Sequence, residues 1–86
     1  MKLDEIYGRK LNADETDRLL EVIEEELSER EMVLMFKSYG LNGEQKQTVE
    51  DIATFYEVSP NTIKKVINEA IKKLHHPKRM NYILDK

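Results

Sequence analysis

The sequence predicts an all-α fold, a small helical domain of about four main helices. Apolar residues recur at spacings of three and four, and no stretch alternates apolar with polar over more than a few positions. Side chains that cap helices also stand just ahead of each periodic segment. The 86 residues are enough for one domain, and a core of that size leaves a small stability margin.

The first residues read as an irregular or loosely helical lead-in around Gly8. Asn12 then stands as a helix cap, with Glu15 three residues on to complete a capping box. Leu19, Leu20, Ile23 and Leu27 form one apolar stripe on a helix spanning roughly residues 13–27. The opposite face carries Asp14, Asp17, Glu21, Glu24, Glu25 and Glu26 and is expected to face solvent. Ser28 caps again, with Glu31 in the box position, ahead of a helix over Glu29–Tyr39. That helix holds Met32, Leu34, Met35, Phe36 and Tyr39, more apolar surface than one stripe buries.

Gly40 and Gly43 bracket the stop that follows, since glycine takes left-handed conformations without penalty. Thr48 caps the next helix, whose Val49, Ile52, Ala53 and Tyr56 are expected to face inward. Asp51 replaces the usual Glu or Gln of its box, which leaves that box imperfect. After a short turn at Glu57-Val58, Ser59 is a cap and Pro60 a first helical residue. The last long helix runs to about His75, with Ile63, Val66, Ile67, Ala70, Ile71 and Leu74 inward, and Pro77 stops it. The expected organisation is an acidic helical extension over 1–26, a domain over 27–80 and a tail over 81–86.

Charge is unevenly distributed. Residues 1–31 hold five basic against eleven acidic side chains, whereas residues 60–80 hold six basic against Glu69 alone. A formal net charge of −3 therefore hides a basic pole, one face suited to a polyanion. The absence of cysteine excludes disulfides and thiolate metal sites. No apolar run approaches the roughly 20 residues that span a bilayer, and Met1–Glu5 lacks a signal-peptide core, so a cytoplasmic location is expected. Catalysis and bound cofactors are not expected. Adjacent His75 and His76 diverge on a helix, the serines lack a base at motif spacing, and no phosphate-loop fingerprint exists.

A short helix, a brief turn and a basic amphipathic helix make a helix-turn-helix unit. Small Ala53 sits where the helices cross, Val58 is expected to plug the corner, and Ile63 and Val66 dock the second helix. The outward face then carries Asn61, Thr62, Lys64, Lys65 and Asn68. A helix of this diameter fits the DNA major groove, where Asn pairs with adenine and Lys donates to guanine or phosphate. Thr48, Ser59, Lys72, Lys78 and Arg79 complete the candidate DNA-binding set.

Leu27-Ser28-Glu29-Arg30-Glu31, Tyr39-Gly40-Leu41, Thr48-Val49-Glu50-Asp51-Ile52-Ala53 and Ala70-Ile71-Lys72-Lys73-Leu74-His75-His76-Pro77 occur in this order. Together, over about residues 27–80, they resemble region 4 of the sigma-70 family of bacterial RNA polymerase sigma factors. The resemblance implies a helix-turn-helix that reads an upstream promoter element in double-stranded DNA. It also implies an apolar surface that grips the β-flap of RNA polymerase. Met32, Met35, Phe36 and Tyr39 are the candidates for that surface.

The positions that read sequence depart from the family pattern. An Arg-Glu pair and a following Gln of primary sigma factors become Pro60, Asn61 and Lys65, so a nonstandard promoter is the expected target. Promoter-melting regions have no counterpart here. The resemblance thus implies a stand-alone region-4-like protein, as in phages and mobile elements, that needs a separate region-2-like polypeptide. Two readings remain open: a promoter-binding sigma-like factor, or a flap-binding co-activator or sigma mimic that reads no DNA.

Overall fold

The computed structural model describes residues 4–84, and among them every regular element is a helix. Residues 1–3 of the expected lead-in and residues 85–86 of the expected tail lie outside the described residues. The helices are α1 (Asp4–Tyr7), α2 (Ala13–Glu26), α3 (Glu29–Tyr39), α4 (Val49–Tyr56), α5 (Pro60–Leu74) and α6 (Pro77–Leu84). They build a body of 40 × 21 × 21 Å.

Local chemistry fixes where the helices begin. The Asn12 side chain accepts from the Glu15 N–H at 2.8 Å, and the Glu15 carboxylate accepts from the Asn12 N–H at 2.9 Å. Ser28 and Glu31 repeat this reciprocal box on α3, at 3.2 and 2.9 Å. Two of the first-turn amides that a helix leaves without partners are thereby satisfied at each start. Thr48 accepts from the Asp51 N–H at 3.1 Å with no return bond, so the box on α4 is half-made as the sequence implies. Ser59 caps α5 in the same way, with Pro60 in its first turn.

Gly40 ends α3 at φ +67°, and the chain then doubles back so closely that a Cβ there would lie 3.0 Å from the Lys46 Cβ. Both the left-handed backbone and the close approach call for glycine.

The core runs the length of α5. Its Ile63, Ile67, Ala70 and Leu74 are buried against α3 and α4, which contribute Leu34, Met35, Ile52 and Ala53 among others. Ala53 is almost completely buried, and its small side chain permits the close crossing of α4 and α5 expected from the sequence. The second half of the core lies between α2 and α6, where Leu19, Val22 and Ile23 are buried along with Ile83 and Leu84.

Helix α6 corrects the sequence reading. Pro77 does stop α5, but it then serves as the first residue of a new helix, where proline's missing N–H costs nothing. Residues 81–84 are therefore helical, and Ile83 and Leu84 are core. The acidic helix α2 is likewise packed against α6, sharing one core with the C-terminal segment.

The lead-in is anchored as well. Ile6 and Leu11 are buried, the Tyr7 hydroxyl donates to the Leu74 carbonyl at 2.8 Å, and the His75 Nε2–H donates to the Ile6 carbonyl. Burial pushes the Tyr7 hydroxyl up to about 12.

Replacing Gly40 by alanine is expected to destabilise the fold by about 1–2 kcal/mol, the order of a non-glycine left-handed residue. Urea denaturation of Gly40→Ala beside the parent measures it, and an unchanged midpoint contradicts the assignment.

Candidate nucleic-acid and protein interface

Helix α4, a turn of Glu57-Val58-Ser59, and α5 form the unit that most of the candidate DNA-binding residues occupy, whereas Lys78 and Arg79 lie beyond it on α6. The turn is made possible by Glu57, which closes α4 at φ +57° with its N–H donating to Ala53 and Thr54 carbonyls. Because Ile63, Ile67, Ala70 and Leu74 face the core, the other side of α5 points to solvent. Asn61, Lys64, Lys65, Asn68 and Lys72 are all exposed there, and the acidic N-terminal helix does not cover them.

The basic side chains of this region differ in what they touch. Lys73 donates to the Glu31 carboxylate at 2.7 Å, joining the end of α5 to the start of α3. Arg79 donates to Glu26 at 2.8 Å and to the Lys73 carbonyl at 3.0 Å. Lys72 lies 3.6 Å from Glu69 on the surface, a pair too exposed to be worth much. Lys78 borders a cleft between α2 and α6 that Glu21, Glu25 and Glu26 line. Among the described residues only Lys64 and Lys65, of the six, have neither an ion-pair partner nor a place in that acidic cleft.

Three further candidates are occupied by the fold itself. Thr48 and Ser59 use their hydroxyls as caps, and the Thr62 hydroxyl lies 2.9 Å from that of Ser59. At the start of α4, Glu50 and Asp51 stand in the first turn and oppose an anion there. The first turn of α5 contains no acidic residue, which leaves its positive end uncompensated.

The apolar candidates for a protein partner sit elsewhere than expected. Met35, Phe36 and Tyr39 are buried in the core, where α3 packs on α5 and α4, and Met32 is half-buried against it. Their surplus of apolar surface is absorbed because α3 is covered on more than one side. The open apolar surface is a groove of about 680 Å³ whose lining includes Arg30, Val33, Leu34, Tyr56, Val58 and Ile63. Tyr56 and Val58 are each 41 % exposed, so Tyr56 is not the inward-facing residue the periodicity predicts and Val58 does not close the corner as expected. Phe55, 72 % exposed, packs edge-on to Tyr56 with centroids 5.0 Å apart, and the Lys37 ammonium sits 5.6 Å above its ring. Nothing in the periodicity of α4 marks Phe55. An aromatic at an outward position was the one available signal.

Glu31 is the buried charge in this neighbourhood. Burial raises its carboxyl, but hydrogen bonds from Lys73 and Ser28 outweigh that and hold it below the ordinary glutamate value. Glu15 is also lowered, first by its backbone bond at Asn12 and then by Arg9, which pairs with it. No group of three or more metal-ligating side chains occurs among the described residues, and no helix there is long and apolar enough to cross a membrane.

The chain is similar to RNA polymerase sigma factor SigA of Lactococcus lactis subsp. cremoris and of Lactococcus lactis subsp. lactis (strain IL1403). Identity is 30 % over 77 residues in each case, covering 84 % of this chain. The matches take in 21 % and 20 % of those proteins, so the chain spans about a fifth of the length of the curated relatives it matches. No family model matches, and no solved structure does. The similarity identifies a sigma-factor-like region within an all-helical protein.

The Glu31 geometry carries a pH signature. A carboxyl lowered in the folded state stabilises above its unfolded value and loses that contribution as pH falls through the folded one. Glu31→Gln is expected to cost about 1 kcal/mol at neutral pH, reduced from a fully buried pair by the half-exposed Lys73. Thermal melts should show that difference shrinking below the ordinary glutamate value of 4.5. A difference that persists unchanged at pH 3 contradicts the ion pair.

Proposed function

We propose that this protein is a transcription factor of the sigma region 4 type, acting in the cytoplasm. Its α4–turn–α5 unit binds promoter DNA while a second surface holds RNA polymerase. The observation that carries the DNA reading is the pair Lys64 and Lys65, exposed and without acidic partners among the described residues on the outward side of α5. The acid-free start of that helix and the similarity to sigma factors support it. A helix presented in this way enters the major groove with its first turns against base edges.

The polymerase surface in this reading is the groove between α3 and the α4–α5 turn. Val33, Leu34, Tyr56, Val58 and Ile63 offer it an apolar floor and walls, suited to an amphipathic helix such as the β-flap contributes. This revises the sequence-based assignment to Met32, Met35, Phe36 and Tyr39, three of which the core occupies.

One observation favours the second reading, a polymerase-binding co-activator without DNA recognition. Glu31 and Glu26 engage Lys73 and Arg79, and Lys72 and Lys78 lie beside acids, so the electrostatic pull on a duplex is modest. The two readings separate by salt dependence. Each phosphate neutralised contributes about −0.9 to the slope of log affinity against log salt. Two free lysines predict a slope of about −2, against about −5 if all six cations bound phosphate.

Titration of a labelled duplex at several salt concentrations is expected to give the smaller slope. The double variant Lys64→Ala/Lys65→Ala should bring it close to zero, whereas Lys73→Ala should lower thermal stability and leave the slope alone. Retention of a β-flap peptide with no duplex affinity at low salt selects the co-activator.

A further inference from the structure

The geometry points to a base preference: the outward ridge of α5 reads a purine run on one strand, with Asn61 and Asn68 on adenines and Lys65 on a guanine between them. The inference rests on the DNA-binding reading above and goes beyond it by naming the sequence class.

At about 100° per residue, positions 61, 65, 68 and 72 fall on one line along the helix. The buried positions Ile63, Ile67, Ala70 and Leu74 lie on the opposite side. The ridge that projects farthest from the protein is therefore Asn61, Lys65, Asn68 and Lys72, all exposed. Lys64 sits on one flank of that ridge and Thr62 on the other. Thr62 is further removed from readout, since its hydroxyl and amide face Ser59.

The ridge also has a definite hydrogen-bonding character. Asn carries a donor and an acceptor together and matches the paired N6 donor and N7 acceptor of adenine. Lys carries donors alone and matches the O6 and N7 acceptors of guanine. Recognition of cytosine calls for a carboxylate, and none lies on the ridge. The one acid on this helix, Glu69, stands to the side with Lys72 at 3.6 Å. Asn61 and Asn68 are seven residues apart, about 10 Å along the helix, or about three base-pair steps. Lys72, one turn beyond Asn68 and beside Glu69, lies past the readout positions.

The experiment is selection of bound duplexes from a random pool on the immobilised full chain at low salt, followed by sequencing. The same selection is run on Asn68→Ala, Asn68→Asp and Lys65→Ala. All three positions are exposed, and thermal melts verify that each variant folds.

The expected result is a purine-rich strand with two adenines about three steps apart flanking guanine, each adenine preferred roughly five- to a hundredfold. Asn68→Ala should erase the preference at one adenine position alone, and Asn68→Asp should turn it toward cytosine. Duplexes recovered without a purine preference, or a preference that ignores these variants, overturn the inference and leave DNA binding standing. Recovery of no duplex overturns both.

Discussion

The packing of α5 organises this molecule. Ile63, Ile67, Ala70 and Leu74 form one unbroken buried stripe, and α3 and α4 both rest on it. A helix can bury about one side, so committing that stripe to the core determines what the rest of α5 presents to solvent. Asn61, Lys64, Lys65 and Asn68 face outward for that reason, and no separate device is needed to display them. The same commitment opens the groove beside it. Where α5 begins, Ile63 lies under Tyr56 and Val58, and among the described residues no further element covers them.

Electrostatics then divides the basic helix into two functional lengths. Its C-terminal end is held by acids from earlier in the chain, Lys73 by Glu31 on α3 and, just beyond, Arg79 by Glu26 on α2. These pairs connect segments 42 and 53 residues apart in sequence, and they place α2, α3 and α6 around the end of α5. Its N-terminal end is left without such partners among the described residues, and its helix start has no acid to offset the dipole. One charged helix thus combines a structural half with a half available to a polyanion. The acidic surplus of α2 is part of this arrangement, since Glu21 and Glu26 bind Tyr82 and Arg79 on the side of the molecule where α6 packs.

The helices themselves were legible in the sequence because their signals are local. Asn12, Ser28, Thr48 and Ser59 each cap the helix they precede, all four main helices start as expected, and the imperfect box at Asp51 is also as read. What could not be read depends on partners distant in sequence. Pro77 reads equally well as a stop or as a helix start, and only the packing of Ile83 and Leu84 on α2 distinguishes them. Glu31 looked like a box residue and is one, but its bond to Lys73 comes from across the chain. Periodicity placed Tyr56 inside, as its helical position suggests, yet no element closes over it at the end of α4. Met35, Phe36 and Tyr39 looked like surplus apolar surface because the sequence does not show how many helices surround α3.

The account stands on the division of α5 into an open and a held half, and lysine reactivity tests it residue by residue. Brief acylation of the free protein with an amine-selective reagent, read by mass spectrometry, should, among the lysines of α5, modify Lys64 and Lys65 fastest and Lys73 slowest. Added duplex should then protect Lys64 and Lys65 and leave Lys73 unchanged. Slow modification of Lys64 and Lys65 in the absence of DNA, at or below the rate of Lys73, would contradict the account.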